Sequence, residues 1–229
     1  MRQFLIFIQL IIITQLISSC EQHLTAEIPS YIEINNFDYL DNHSTTTPHP
    51  GGYENYNSIN VTDVWISMNG NTIGTFEVPC KIPILSEGIY SFDIYPGIKA
   101  NGISGTRIKY PFYEKYEINT ELNKEETVEI APKTAYKEAT MFHFEEKGQF
   151  EVGGTMFEKS FNSDTSIIIQ NEVVFQGTHS AAIYLDSTNT YFDVRNIEEL
   201  ELQNNTFLEL DFLSSIDFNV GLIILSNND

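Results

Sequence analysis

Hydrophobic and polar residues alternate along much of the chain, and the alternation has period two. In "YIEINNF", residues 31–37, Ile32 and Ile34 fall on one face and Glu33 on the other. That is the pattern of a half-buried strand. The clearest signal lies in "VTDVWISMNGNTIGTFEVP", residues 61–79, where two alternating runs flank Asn69-Gly70. Asn-Gly supplies the positive φ angles that a type I′ hairpin turn demands. Further strands are predicted in "IYSFDIY", "YEINTEL" and "ETVEIAP", with Asn123–Glu126 turning the last two back on each other. Residues 30–135 contain no sustained helical period. Short strands with such turns predict an antiparallel, immunoglobulin-like β-sandwich. Its expected core is Ile32, Ile34, Val64, Ile66, Phe76, Phe92, Ile94, Ile118 and Ile130.

Two stretches break this rhythm. "DNHSTTTPHPGGYENYNSIN", residues 41–60, is rich in Gly, Pro, Asn, Ser and Thr and predicts a long exposed loop. Between "IYSFDIY" and "YEINTEL" a glycine-containing connection carries Tyr110, Phe112, Tyr113 and Tyr116. Connections of this size cross one end of a sandwich and often carry function. Tyr110 and Tyr113 are therefore candidate ligand contacts. The competing expectation is that these rings pin the connection to the sandwich.

After "APKTAYKEAT" the texture changes, with paired glycines and scattered Phe, and strands recur at "TSIIIQ", "VVFQGTHSAAIYLD", "TYFDV", "TFLELDFL" and "FNVGLIIL". They predict a second β unit over residues 139–229. "FQGTHSAAIYL" and "FLELDFLSSIDFNVGLIIL" resemble paired strands of jelly-roll carbohydrate-binding modules. The resemblance implies an all-β fold and a non-catalytic sugar-binding role. Jelly rolls have eight strands in two sheets, and five or six are legible here. Phe218, Val220, Leu222 and Ile224 share one face of the last run, with Ile223 and Leu225 on the other. A strand apolar on both faces belongs in the middle of a structure. The expectation is a truncated unit or a partner that supplies the missing strands, unless earlier strands flank this one on both sides.

The N-terminus has a different pattern. One early charge, Arg2, precedes an apolar run from Phe4 to Ile17. A membrane-spanning helix needs about 20 apolar residues, so this run fits the apolar segment of a secretory signal better. "LISSC", residues 16–20, resembles the lipobox of bacterial lipoproteins. The resemblance implies cleavage before Cys20 and a diacylglycerol on its sulfur. Residues 1–19 are then a signal peptide and residues 20–29 a lipidated tether. The resemblance implies an address in the bacterial cell envelope, at the outer membrane, with the facing side left open.

Charge narrows the partners. The chain carries 12 basic and 32 acidic residues, a formal net charge of −20. Such a chain repels phosphate backbones, which argues against nucleic acid as a ligand. With Cys20 lipidated, Cys80 has no partner for an intrachain disulfide, and its apolar neighbours in "FEVPCKIPIL" predict a buried, inert thiol. No G-x-S-x-G, P-loop, G-x-G-x-x-G or H-E-x-x-H pattern occurs. The histidines, including His43 and His49 in the polar loop, lack ligand spacing. No enzyme, cofactor or metal site is expected. Trp65, the sole tryptophan, shares the outward face of its strand with Asp63 and Ser67. An outward indole can stack on a sugar ring, so Trp65 joins Tyr110 and Tyr113 as a candidate; burial under another part of the chain is the alternative. Two functions follow as expectations: a glycan-binding lipoprotein, or a structural or assembly lipoprotein that binds another envelope protein.

Overall fold

A computed structural model describes residues 27–40, 59–144, 148–151 and 153–225. The signal segment, Cys20, most of the tether and the histidine-bearing loop at 41–58 lie outside the described residues. Among those described, no helix is long and apolar enough to cross a membrane. The fold is all-β.

The first part of the chain builds two facing sheets. One contains β1 (Ser30–Ile34), β5 (Cys80–Ile84) and β9 (Thr127–Glu129), in the order β5-β1-β9. The other contains β3 (Asp63–Met68), β4 (Asn71–Glu77), β6 (Gly88–Lys99), β7 (Arg107–Lys109) and β8 (Tyr116–Leu122). Its order is β4-β3-β6-β7, with β8 also on β6. The chain therefore pairs β1 with β5 in one sheet and β3 with β6 in the other. This is the interlocking of the B and E strands with the C and F strands in an immunoglobulin-type sandwich.

The core sits between the sheets. Ile32, Ile34, Ile82 and Ile84 face Val64, Ile66, Phe92, Ile94 and Leu122 in one buried cluster that also takes in Phe37 and Ile130. Of the expected core, Phe76 and Ile118 are only partly buried and pack against it. Strand β5 went unpredicted because Pro83 interrupts its apolar run. It lies on a sheet edge, where the missing N–H of proline costs no ladder bond.

The hairpin at Asn69-Gly70 forms as expected, with φ of 49° and 79°. The turn is also tied to the next strand: the Asn69 N–H donates to the Ser91 carbonyl at 2.8 Å, and the Ser91 N–H donates to Asn69 Oδ1 at 3.0 Å. A little way back from the turn, the register slips between Ile66 and Ser67, so that Ile66 opposes Gly74 and Ser67 opposes Thr72. Such a bulge bends and twists the strand that carries it.

Two expectations fail. The turn at 123–126 does not fold two strands into a hairpin. Strand β8 stays antiparallel to β6, whereas β9 crosses to the other sheet and runs parallel to β1. Both can face one core because they approach it from opposite sheets. The parallel course continues in β2 (Asp38–Tyr39) and β10 (Lys133–Thr134). The connection after "IYSFDIY" is also shorter than expected, because β6 continues to Lys99 and pairs with β7. Pro96 sits where β6 exchanges one neighbour for another. Strand β8 pairs with residues 88–94 and β7 with residues 97–99, and Pro96 falls in the gap. A proline inside the sheet is tolerated there because no ladder partner awaits its absent N–H.

The later part of the chain forms shorter ladders. Strand β11 (Phe157–Lys159) pairs with β14 (Val194–Asn196), and β12 (Ile168–Gln170) with β13 (Ser180–Ala182), all antiparallel. These four strands are half the eight of a jelly roll. "FQGTHSAAIYL" supplies β13 and a left-handed turn at Gly177, φ 70°. Glu151 holds that turn by accepting bonds from the Thr178 hydroxyl and from the Thr178 and His179 backbone N–H groups. "TFLELDFL" and "FNVGLIIL" form no strand among the described residues, contrary to expectation, and Leu213 and Ile224 are largely exposed. A run with strand periodicity becomes a strand only when another backbone meets its N–H and C=O groups.

Two expected outcomes follow. Phe92→Ala should lower the unfolding free energy by about 3–5 kcal/mol, whereas Ile89→Ala on the same strand should change it by under about 0.5 kcal/mol. Phe92 is fully buried and Ile89 is 74 % exposed; chemical denaturation of both variants checks the contrast. The Thr178 hydroxyl, above all, and the two N–H groups hold the Glu151 carboxyl down at about 2. Because its folded value lies below the ordinary 4.5, its contribution to stability is complete above that pH and drains away as pH falls toward 2. Carboxyl NMR should place the Glu151 titration near the lower value.

Candidate functional site

The outer face of the larger sheet holds the most chemically varied side chains of the sandwich. Alternation along β3 sends Val64 and Ile66 into the core and turns Trp65 outward, half-buried. Directly across, Trp65 opposes Thr75 on β4 and Tyr95 on β6. The neighbouring outward row is Glu77, Asp63, Gly97 and Lys109, on β4, β3, β6 and β7 in turn. The indole leans across onto β6. A Cβ at Gly97 would overlap the Trp65 ring and would also lie 2.9 Å from the Ile108 carbonyl oxygen. Glycine at 97 therefore makes the seat for the indole.

Charged groups surround the two rings. Asp63 is fully buried and accepts a bond from the Thr62 hydroxyl at 2.7 Å and another from Arg107 Nε. Arg107 reaches on to Glu77 through Nη2 at 2.6 Å, and Lys99 meets the same Glu77 oxygen at 2.5 Å. Removing either partner of a buried ion pair leaves an uncompensated charge, so Asp63 and Arg107 hold one another in place. These cations, Lys99 first, also pull the Glu77 carboxyl below the usual carboxylate range. Nearer the start of β6, Lys115 bridges Asp93 at 3.0 Å and Glu117 at 2.5 Å. The Lys109 ammonium lies over the Tyr95 ring, 3.5 Å from its centroid.

Tyr110 and Tyr113 are placed differently from the sequence expectation. Both are buried with Tyr136 in a second aromatic cluster, so neither offers an open ring face to a ligand. Their ring centroids are 4.6 Å apart in an edge-on arrangement, and Tyr113 and Tyr136 are 4.8 Å apart. Phe207 closes one side, 5.4 Å from Tyr110 and 5.9 Å from Phe112. Glu209 accepts bonds from the Tyr110 and Tyr136 hydroxyls. Burial first, and then the Glu209 carboxylate, raises both phenols far above their ordinary range, so they remain donors. These rings pin the connection, as the competing expectation held, and they also seat a segment almost a hundred residues away.

Tyr95, Gly97 and Lys109 were not singled out from sequence. Alternation alone puts Tyr95 opposite in sense to Phe92 and Ile94 along "IYSFDIY". Its position beside Trp65 depends on which residues of β3 and β6 face each other, and periodicity carries no register. Cys80 is half-buried, and desolvation raises its thiol above the ordinary value, in keeping with an unreactive group. Among the described residues, no three His, Cys, Asp or Glu side chains are placed to hold a metal ion. No family model, curated protein or solved structure matches this chain.

The indole seat can be tested spectroscopically, since the chain has one tryptophan. Gly97→Ala should push the Trp65 ring into solvent. Its emission should shift to the red while far-ultraviolet circular dichroism keeps the β signature. An unchanged emission maximum would mean that the ring rests elsewhere.

Proposed function

We propose that this chain is a membrane-anchored lipoprotein of the bacterial cell envelope with a non-catalytic binding role, and that its ligand is a glycan. The observation that carries the ligand class is the Trp65–Tyr95 pair on the outer face of the larger sheet. A half-buried indole on a rigid sheet presents an apolar, polarizable surface at little entropic cost. Aromatic anchors of this kind dominate binding energy where they are present. Polar groups around them would orient the hydroxyls of a sugar. The address rests on "LISSC" and the apolar run before it. A lipid at Cys20 would supply the anchor, each buried methylene adding about 0.8 kcal/mol.

A second reading has its own support. Leu208, Leu210, Phe212, Leu222, Ile223 and Ile224 are all exposed, on a segment without a ladder partner among the described residues. Exposed apolar surface of this extent marks protein contacts. It favours a structural or assembly lipoprotein whose ligand is another envelope protein.

The detergent-solubilised full chain on a glycan array separates the two. Under the glycan reading, Trp65→Ala weakens binding at least tenfold, about 1.4 kcal/mol, and Tyr95→Ala also weakens it. No glycan bound, with one envelope protein recovered by crosslinking through residues 208–225, selects the assembly reading. Labelled fatty acid should enter the wild type and leave Cys20→Ala unlabelled; equal labelling removes the lipoprotein assignment.

A further inference from the structure

We infer that the glycan taken by the Trp65–Tyr95 face is acidic, and that Lys109 receives the carboxylate of a uronic acid residue. This rests on the glycan reading above and gives its ligand a charge. The starting observation is a local evening of charge, with the cations of this face standing beside the carboxylates of Asp63, Glu77, Asp93 and Glu117. The chain has a formal net charge of −20, yet four of its twelve basic residues, Lys99, Arg107, Lys109 and Lys115, project on this one face.

Three of these cations are committed. Arg107 and Lys99 neutralise Asp63 and Glu77, and Lys115 is held by Asp93 and Glu117. Lys109 is different. It is exposed, and among the described residues no carboxylate forms an ion pair with it. Its ammonium rests on the face of Tyr95. A ring face attracts a cation weakly at an exposed site and leaves its outward N–H donors free.

The geometry brings this cation and the platform together. The Trp65 indole crosses from β3 to lie over Gly97 of β6. Lys109 crosses from β7 to lie over Tyr95, the preceding outward residue of β6. Indole and ammonium thus converge above consecutive outward positions of one strand. A pyranose stacked on Trp65 would turn the substituent at its rim toward Lys109 Nζ. A ring carboxylate there gains a charge-assisted hydrogen bond, roughly twice as strong as a neutral one; a neutral hydroxymethyl group does not. The overall negative field opposes an acidic ligand only weakly at this range, since salt screens it beyond about 8 Å at physiological ionic strength.

The test uses the full chain in detergent and a panel of galacturonic, glucuronic and mannuronic acid oligosaccharides. Each is paired with its carboxyl-reduced neutral counterpart, and binding is measured by calorimetry. At least one acidic member should bind tenfold or more tightly than its counterpart. Lys109→Gln should erase that difference, Lys109→Arg should keep it, and Trp65→Ala should weaken both members of the pair. Lys109 is a surface residue, and matching thermal unfolding of the variants guards against a folding artefact. Equal affinity within every pair, or a preference for the neutral members, overturns the inference and leaves the glycan reading standing. A preference that survives Lys109→Gln overturns the role of Lys109. Binding to no member, together with an empty neutral glycan array, overturns both this inference and the reading it rests on.

Discussion

Strand β6 must satisfy two faces at once, and the sandwich is organised around the way it does so. Its inward residues Phe92 and Ile94 are fully buried against the opposite sheet. Its outward residues Tyr95 and Gly97 underlie Lys109 and Trp65. Along one edge β6 pairs continuously with β3; along the other it pairs first with β8 and then with β7. Pro96 occupies the changeover between those two neighbours. A proline two residues earlier, at position 94, would fall inside the β8 ladder. The residue that cannot donate a hydrogen bond is placed where none is asked of it.

The rigidity of the core is what gives the outer face a geometry. Strand register is strongly specified when one face is buried, because a slip of one residue would send every apolar side chain into water. Burial of Val64, Ile66, Phe92 and Ile94 therefore dictates that Trp65 stands opposite Tyr95. Around this pair the carboxylates and cations are arranged as a neutralising frame. Asp63, without solvent contact, is tolerated because Thr62 and Arg107 both bond to it. Among the described residues, Lys109 alone of the four cations of this face has an aromatic ring in place of an acid.

The second aromatic cluster has a different task. Tyr110, Tyr113 and Tyr136 close the end of the sandwich and receive Phe207 and Glu209 from far along the chain. A carboxylate taken out of water needs donors, and two phenol hydroxyls supply them. The segment that follows is held less: its apolar side chains remain exposed, and its backbone finds no ladder among the described residues. The same phenylalanine- and leucine-rich pattern that reads as strand in sequence is left without the neighbour that would make it one.

Local chemistry determined several features before any fold was known. Asn69-Gly70 could only be a tight turn, since its two residues adopt positive φ at little cost. Period-two alternation assigned Ile32, Ile34, Val64, Ile66, Phe92 and Ile94 to the core and turned Trp65 outward, because each follows from which side of a pleated strand a residue occupies. The tertiary structure alone decided the rest. It sent β9 to the opposite sheet in a parallel course and carried β6 through Pro96. It also buried Tyr110 and Tyr113 under residues almost a hundred positions away, and set Tyr95, Gly97 and Lys109 beside Trp65. Each of these depends on pairing between distant segments. A sequence period records the face a side chain occupies, but the partner and register of its strand arise only when whole sheets close over a common core.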